Sequence, residues 1–444
     1  MTGRTLDLLI VSDLWPPHFV GGYELGAARI AARLAARGHR ITVLTSSYGV
    51  DEPCSDDGVQ RVLFEQVHFS ALGPRRLIRD TIESTRRRKA LPKVLDELCF
   101  DLVYLFNPLG LRANVVLDLC RTGRPVVAYV SDHWVGQWPQ ADRLLAHWLT
   151  PRWYLSPLAE IGFVLLRQLF RRLGHLDFTP AELPIRHAQF VSRFIQHLSR
   201  PRLPALATEE VIPWGIDVAR LPYRPRRSEE LSEWAYVGQL EEHKGPHVAI
   251  EAVRRLREAG ERVRLTLYGT GGGFAANLQQ QVRSAGLSER VHFAGQVPPE
   301  RLWGEVNARA GLLIFPTLWD EPFSITLLEA FASGVPVVCT LTGGTGEIVR
   351  DGETATVVRS GDADDLVRVF RALRARPEHA LAMAERARDV VEAHLDIEHM
   401  VDRVERHLLE VAEGRGSHGV EPAEPALHPW EIEDQPAQSE ARSA

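Results

Sequence analysis

Phe315–Gly346 reads FPTLWDEPFSITLLEAFASGVPVVCTLTGGTG. Its order of apolar runs, polar loops and one helix-length segment decides how the rest of the chain is read. Gly311–Phe315 is a short apolar run stopped by Pro316, the pattern of a buried strand. A polar loop carrying Asp320 and Glu321 follows. Pro322 opens the next turn, and Ser324 is placed to cap a helix running to about Ser333, where Gly334 ends it. Val335–Cys339 is a second buried strand, with Gly343-Gly344 in the loop beyond it.

Glu321 falls in the loop and Glu329 in the second turn of the expected helix. Between them the helix start presents amides from about Ser324, Ile325 and Thr326. Free amides and the positive end of the helix dipole favour a phosphate there. A carboxylate one turn further in can accept hydrogen bonds from vicinal hydroxyls, as on a ribose, and a loop carboxylate can do the same for a sugar. Hydroxyls at both ends and a diphosphate between describe a nucleotide-sugar. The alternative is a surface loop acid and a solvated helix acid.

The segment Glu321-Pro-Phe-Ser-Ile-Thr-Leu-Leu-Glu329 resembles the E-x7-E motif of retaining glycosyltransferases with the GT-B fold, in particular glycosyltransferase family 4. The resemblance covers about Leu6 to Leu409 and is strongest from Trp234 to Val358. It implies two Rossmann-like doubly wound α/β domains facing a central cleft. It also implies that Glu321 and Phe323 contact the donor sugar, that Ser324, Ile325 and Thr326 hold phosphate, and that Glu329 holds the ribose.

Upstream, Trp234–Val237 reads as a strand leading through Gly238 and Gln239 to Lys244-Gly245 before a helix through Arg257, a plausible phosphate cradle. Family 4 has Arg and Lys in this stretch holding the diphosphate. Here Gln239 stands in the place of the arginine and Lys244 is retained, so charge compensation is expected from another arginine, Arg29 or Arg264. Lysine is rare in this chain, occurring only at 89, 93 and 244. Arg264–Gly273 is a strand and a glycine-rich turn containing Gly269, half a dinucleotide fingerprint and weak evidence for NAD. Val291–Val297 is a strand and loop. The resemblance makes Gln296 and Val297 contacts of the base.

Towards the N-terminus, Leu6–Ser12, a helix Tyr23–Arg37 and Ile41–Thr45 follow βαβ order, the sign of a parallel sheet. Gly21-Gly22 between the first strand and the helix lets backbone approach a ligand at the strand's carboxyl end. The resemblance implies donor phosphate there; a tight turn alone needs one glycine. Val126–Val130 ends in Ser131-Asp132-His133, where family 4 members carry His-Asp aimed at the transferred sugar. Either Ser131 and Asp132 serve without the histidine, or His133 takes its place. A polar strand end with a helix cap is the other reading. The segment Ile161–Leu173 is apolar with arginines, an amphipathic helix that packs on its own domain or lies on a membrane. Arg86–Lys89 reads as a solvated helix face. His187–Ser192 is expected to be the last strand of the first domain and Pro201–Pro204 the linker. Trp214 replaces an asparagine usual in the family. Asp362-Ala-Asp364 is formally a DxD, read as a helix cap.

The 444 residues suit two domains. A net charge of −6 gives no global field for nucleic acid. Cys54, Cys99, Cys120 and Cys339 have no CxxC spacing and read as reduced thiols, and no metal-ligand spacing occurs. Asp7 breaks the first apolar run, so it is not a secretory core, and no run is long enough to span a membrane.

These readings divide the chain into residues 1–204, an acceptor-side domain; 205–385, the donor-binding domain; 386–413, helices crossing back; and 414–444, a Pro/Glu/Ser/Ala-rich tail expected to be disordered. The expected function is retaining, metal-independent transfer of a hexose from a nucleotide-diphosphate sugar to a hydroxyl on a glycan, a lipid-linked sugar or a small metabolite. No cofactor other than the donor itself is implied. A cytoplasmic protein is expected, with a peripheral place at the inner membrane face left open. A nucleotide-sugar binder with impaired catalysis is the alternative, suggested by Ser131 and Gln239.

Overall fold

A computed structural model describes residues 4–19, 21–64, 74–138, 142–149, 157–176 and 182–414. It divides into two compact units. One runs to Trp214 and takes in the chain again from Met400; the other is Gly215–His399.

The first unit contains β1 (Asp7–Val11), α1 (Gly22–Ala36), β2 (Arg40–Ser46), β3 (Cys54–Asp56), β4 (Val59–Leu63), α2 (Pro74–Asp96) and β5 (Leu102–Leu105). It continues through α3 (Ala113–Cys120), β6 (Val126–Val130), α4 (Arg143–Leu149), α5 (Pro157–Arg172), β7 (His187–Phe190), α6 (Arg193–Ser199) and β8 (Thr208–Val211). The sheet order is β3-β4-β2-β1-β5-β6-β7-β8, parallel except for the β3–β4 hairpin. Leu8–Val11 and all of β5 and β6 are buried, as strands covered on both faces must be.

The second unit contains β9 (Glu233–Val237), α7 (Pro246–Glu258), β10 (Arg264–Tyr268), α8 (Gly273–Ser284), β11 (Val291–Gly295), α9 (Pro299–Arg309) and β12 (Leu312–Phe315). Then come α10 (Ile325–Ala332), β13 (Val337–Cys339), β14 (Thr356–Val357), α11 (Ala363–Ala375) and α12 (Pro377–His394). Its sheet, β11-β10-β9-β12-β13-β14, is parallel throughout. Leu265, Leu267, Leu312, Ile314 and Val338 form its centre, with Trp234 meeting Phe370 edge-on at 5.1 Å between ring centres.

The boundary differs from the expected 204/205. Thr208–Val211 pairs with β7 as an eighth strand, so His187–Ser192 is not the last strand, and the first unit extends to Trp214. Pro201–Pro204 is therefore a turn within that unit, not a linker. The C-terminal helices also divide differently from 386–413. α12 stays in the second unit, and α13 (Ile397–Ala412) enters the first from Met400. There His407 bridges Gln189 and Thr208, both at 3.0 Å, and Arg403 donates to Glu210 and to the Val211 carbonyl. The tail expected to be disordered lies, beyond Gly414, outside the described residues.

Two smaller readings change as well. Arg87 and Arg88 are not simply solvated: Arg87 pairs with Glu83 and Arg88 with Asp118, tying α2 to α3. Trp214 packs 5.0 Å from Tyr129 and beneath Gly26, where a Cβ would come within 2.7 Å of the indole. It is a core residue of the first unit.

Candidate functional site

In the second sheet the strand order reverses between β9 and β12. Connections leave these two strands towards opposite sides, which opens a crevice at their carboxyl ends, the usual ligand position in open α/β sheets. The loop after β9 carries Gly238, Gln239 and Lys244, and the loop after β12 carries Glu321.

Glycine brings the two loops together. Gly245 has φ +72°, and a Cβ there would overlap the Pro316 carbonyl oxygen. With the backbones in contact, the Leu318 amide donates to the His243 carbonyl at 2.8 Å. Lys244 Nζ then donates to Glu321 Oε1 at 2.7 Å, and the Thr317 hydroxyl donates to the same oxygen at 3.0 Å. Glu321 is 6% exposed. Among the described residues its Oε2 has no partner. The Gly344 amide donates to the Glu321 carbonyl at 2.7 Å, so Gly343-Gly344 hold the backbone of this acid. Burial, then the Glu321 and Glu241 carboxylates, raise the Tyr236 phenol well above its ordinary value; it donates to the Gln239 carbonyl at 2.7 Å.

α10 begins four residues beyond Glu321. Ser324 caps it, its hydroxyl accepting from the Leu327 amide at 3.3 Å. Ile325 and Thr326 stand in the first turn, where amides have no intrahelical acceptor. Phe323 and Ser324 are buried. Glu329 lies a turn further on, and Trp303 Nε1 of α9 donates to its Oε2 at 2.7 Å.

The glycine-rich turn after β10 has a structural explanation. Gly269 has φ +145°, and Cβ atoms at Gly269 and Gly271 would overlap the carbonyl oxygens of Gly238 and Leu240. These glycines let the turn lie against the loop after β9, and the Gly272 amide donates to Glu241 at 3.1 Å. Gln296, exposed, and Val297, half-buried, follow β11, whose last carbonyl accepts from Gly269 at 2.8 Å.

The remaining candidates belong to the first unit. Ser131 and His133 are buried beyond the carboxyl end of β6. The His133 amide donates to Asp132 at 2.6 Å and its ring meets Phe194 edge-on at 5.9 Å. Gly21 precedes α1, its amide donating to Glu24 at 3.0 Å, and Gly22 begins the helix. A Cβ on Gly21 would meet nothing closer than 3.8 Å, so local packing does not demand glycine there.

Of the two arginines suggested to help Lys244, Arg264 does not join it. Arg264 starts β10, at the opposite end of the strand from the crevice, and pairs with Glu233. Arg29 is exposed on α1 in the other unit. Asp362 accepts from the Asp365 amide at 2.9 Å as a helix cap, in agreement with that reading. Two contributors went unseen in the sequence. Thr317 is an ordinary loop polar residue there, and Trp303 precedes Glu329 by 26 positions on another helix, with no local signal.

A cation, a buried carboxylate, a helix start whose first amides have no intrahelical acceptor and a second carboxylate thus line one end of one sheet. Comparison with known proteins gives the same direction. Residues 224–390 match the family described as Glycosyl transferases group 1, and residues 21–159 match the Glycosyl transferase 4-like domain. The chain is 33% identical over 407 residues to the glycogen synthase of Mycobacterium tuberculosis, covering 88% of this chain and 91% of that one. It is 27% identical over 399 residues to the GDP-mannose-dependent alpha-(1-6)-phosphatidylinositol monomannoside mannosyltransferase of Mycolicibacterium smegmatis, covering 86% and 84%. Its fold matches sucrose-phosphate synthase from Thermosynechococcus elongatus with a TM-score of 0.68 at 18% identity, over 93% of this chain and all of that one.

Proposed function

We propose the reaction from one premise: this chain belongs to the glycosyl transferases of group 1 and has the GT-B fold. It is a glycosyltransferase that uses a nucleotide sugar. On our reading it moves a hexose from a nucleotide-diphosphate sugar to a hydroxyl acceptor with retention of configuration. The observation that carries this is the Lys244–Glu321 pair at the switch point of the second sheet, next to the start of α10.

Lys244 and the amides of Ile325 and Thr326 take the diphosphate, replacing the compensation a metal ion gives elsewhere. Glu321 accepts from hydroxyls of the sugar and Glu329 from those of the ribose. Gly238, Gly269, Gln296 and Val297 line the nucleotide, and Gly21-Gly22 bring backbone amides to the phosphates. Ser131, Asp132 and His133 contact the transferred sugar. The bond from the anomeric carbon to the diphosphate oxygen breaks as the acceptor oxygen bonds to the same face of that carbon. The acceptor proton passes to the departing diphosphate oxygen. Neither glutamate is a nucleophile in this scheme. The acceptor is a glycan, a lipid-linked sugar or a small metabolite, and the setting is cytoplasmic.

The test is a panel of UDP, GDP, ADP and TDP sugars, scored first by thermal shift and then by release of nucleotide diphosphate. At least one donor is expected to stabilise the protein and to be turned over, slowly without acceptor. A second reading, a binder with impaired catalysis, draws on Ser131 and on the exposed, uncharged Gln239. Stabilisation without any release, with or without acceptors, would favour it.

A further inference from the structure

α5 packs on its own unit through one face only. Phe163 and Phe170, one heptad apart, are buried against Trp148, with ring centres 5.2 and 5.0 Å away. On the other side Ile161, Leu165, Leu169 and Leu173 are 57%, 65%, 50% and 55% exposed. These four recur every fourth residue. At 3.6 residues per turn each step drifts by only about 40°, so they form one row roughly 18 Å long. Val164 flanks the row and is also exposed. Single exposed leucines need no explanation, but a continuous aliphatic row on one helix does.

The charges beside the row share one sign. Arg171 and Arg172 are exposed and Arg167 is half-buried, with Glu160 the sole acid from 160 to 173. The chain as a whole carries −6, so this local positive character is not inherited from composition. The row has no tyrosine or tryptophan, the residues that anchor most protein–protein contacts. An exposed aliphatic row bordered by arginines suits an anionic, apolar-cored surface. No helix among the described residues is long and apolar enough to cross a membrane, so the geometry fits lying on one.

We propose that the outer face of α5 docks this protein on an anionic lipid bilayer, with Ile161, Leu165, Leu169 and Leu173 entering the headgroup boundary and Arg171 and Arg172 pairing with lipid phosphates. This stands independently of the donor chemistry above.

The experiment is cosedimentation of the full chain, without donor, with vesicles of phosphatidylcholine alone or mixed with phosphatidylglycerol. The wild type is expected to pellet with the mixed vesicles, and less so as salt rises. L165E/L169E, both on the exposed face, is expected to keep its thermal midpoint and to lose vesicle affinity on the order of tenfold. R171Q/R172Q is expected to abolish the preference for phosphatidylglycerol. A wild type that stays in the supernatant with both vesicle types overturns the proposal, as does L165E/L169E binding like wild type. A dimer in solution that L165E/L169E dissociates, without vesicle binding by the wild type, assigns the face to a second copy and overturns it too.

Discussion

Lys244 Nζ lies 2.7 Å from Glu321 Oε1, and the two residues sit on loops leaving β9 and β12, neighbouring strands on either side of the point where strand order reverses. The carboxylate side chain is 8% exposed and the lysine 24%. Such a pair is more than a surface ion pair, because removing one member strands the other in a poorly solvated place. Each orients the other. On the proposed reading a diphosphate competes with Glu321 for the ammonium, while Glu321 turns to sugar hydroxyls.

Glu321→Gln separates the two roles. It keeps the shape and removes the charge proposed to accept from the sugar. Turnover is expected to fall by about a hundredfold or more, with an unchanged circular dichroism spectrum. Affinity for the free nucleotide diphosphate is not expected to weaken, since Lys244 is released from its partner. Full turnover in the variant would remove Glu321 from the reaction.

Trp303→Phe keeps the aromatic packing of α9 but deletes the N–H that holds Glu329 Oε2. A neutral donor lost from this half-buried carboxylate costs about 1–2 kcal/mol. The Michaelis constant for the donor is expected to rise roughly fivefold to thirtyfold, with turnover at saturation nearly unchanged. An effect on thermal stability alone would make Trp303 a packing residue only.

Gly245→Ala adds a Cβ at φ +72° against the Pro316 carbonyl. The left-handed conformation and the overlap together are expected to cost about 1–3 kcal/mol or more. Urea unfolding of the variant should show that loss, and a thermal-shift response to nucleotide should weaken with it. Wild-type stability would mean the two loops separate freely.

Acid should loosen the first unit through two histidines. Burial, then His407 and Arg186, lowers His187 to about 4, where its ring meets the Thr208 hydroxyl at 2.8 Å. Burial also lowers His407, which faces Gln189 and Thr208 with Glu210 and Arg406 nearby. The folded state therefore resists a proton that the unfolded chain accepts below its ordinary 6.5. These groups leave stability untouched above that value, and it is lost as pH falls towards 4. With His187 half-buried the loss by the lower end is about 1 kcal/mol. Unfolding by urea along this pH range should show it, and His187→Gln/His407→Gln should flatten the slope.

The sequence made the second unit legible because its chemistry is local. Ser324 caps, Gly334 stops, and Glu321 and Glu329 flank one helix start within nine positions. Lys244 stood out by rarity and by the glycine after it. What failed was non-local. Thr208–Val211, TEEV, lacks the apolar run of a buried strand, because its polar side chains meet α13 some two hundred residues on. Trp303 reaches Glu329 only through the packing of α9 beside α10. Arg264 looked like a phosphate ligand until the strand's direction placed it at the amino end. The amphipathic pattern of α5 suggested either an inner face or a membrane face. The fold gives it an inner face and leaves an aliphatic outer one exposed.

The central claim is that Lys244 carries the diphosphate at the start of α10. Calorimetric titration of the wild type and of Lys244→Ala with the nucleoside diphosphate that thermal shift selects tests it most directly. Loss of one charge-assisted contact is expected to weaken binding by about tenfold to a hundredfold, while Glu321→Gln titrated alongside binds at least as well as wild type. Unchanged affinity in Lys244→Ala, in a protein that unfolds like wild type, would contradict the account.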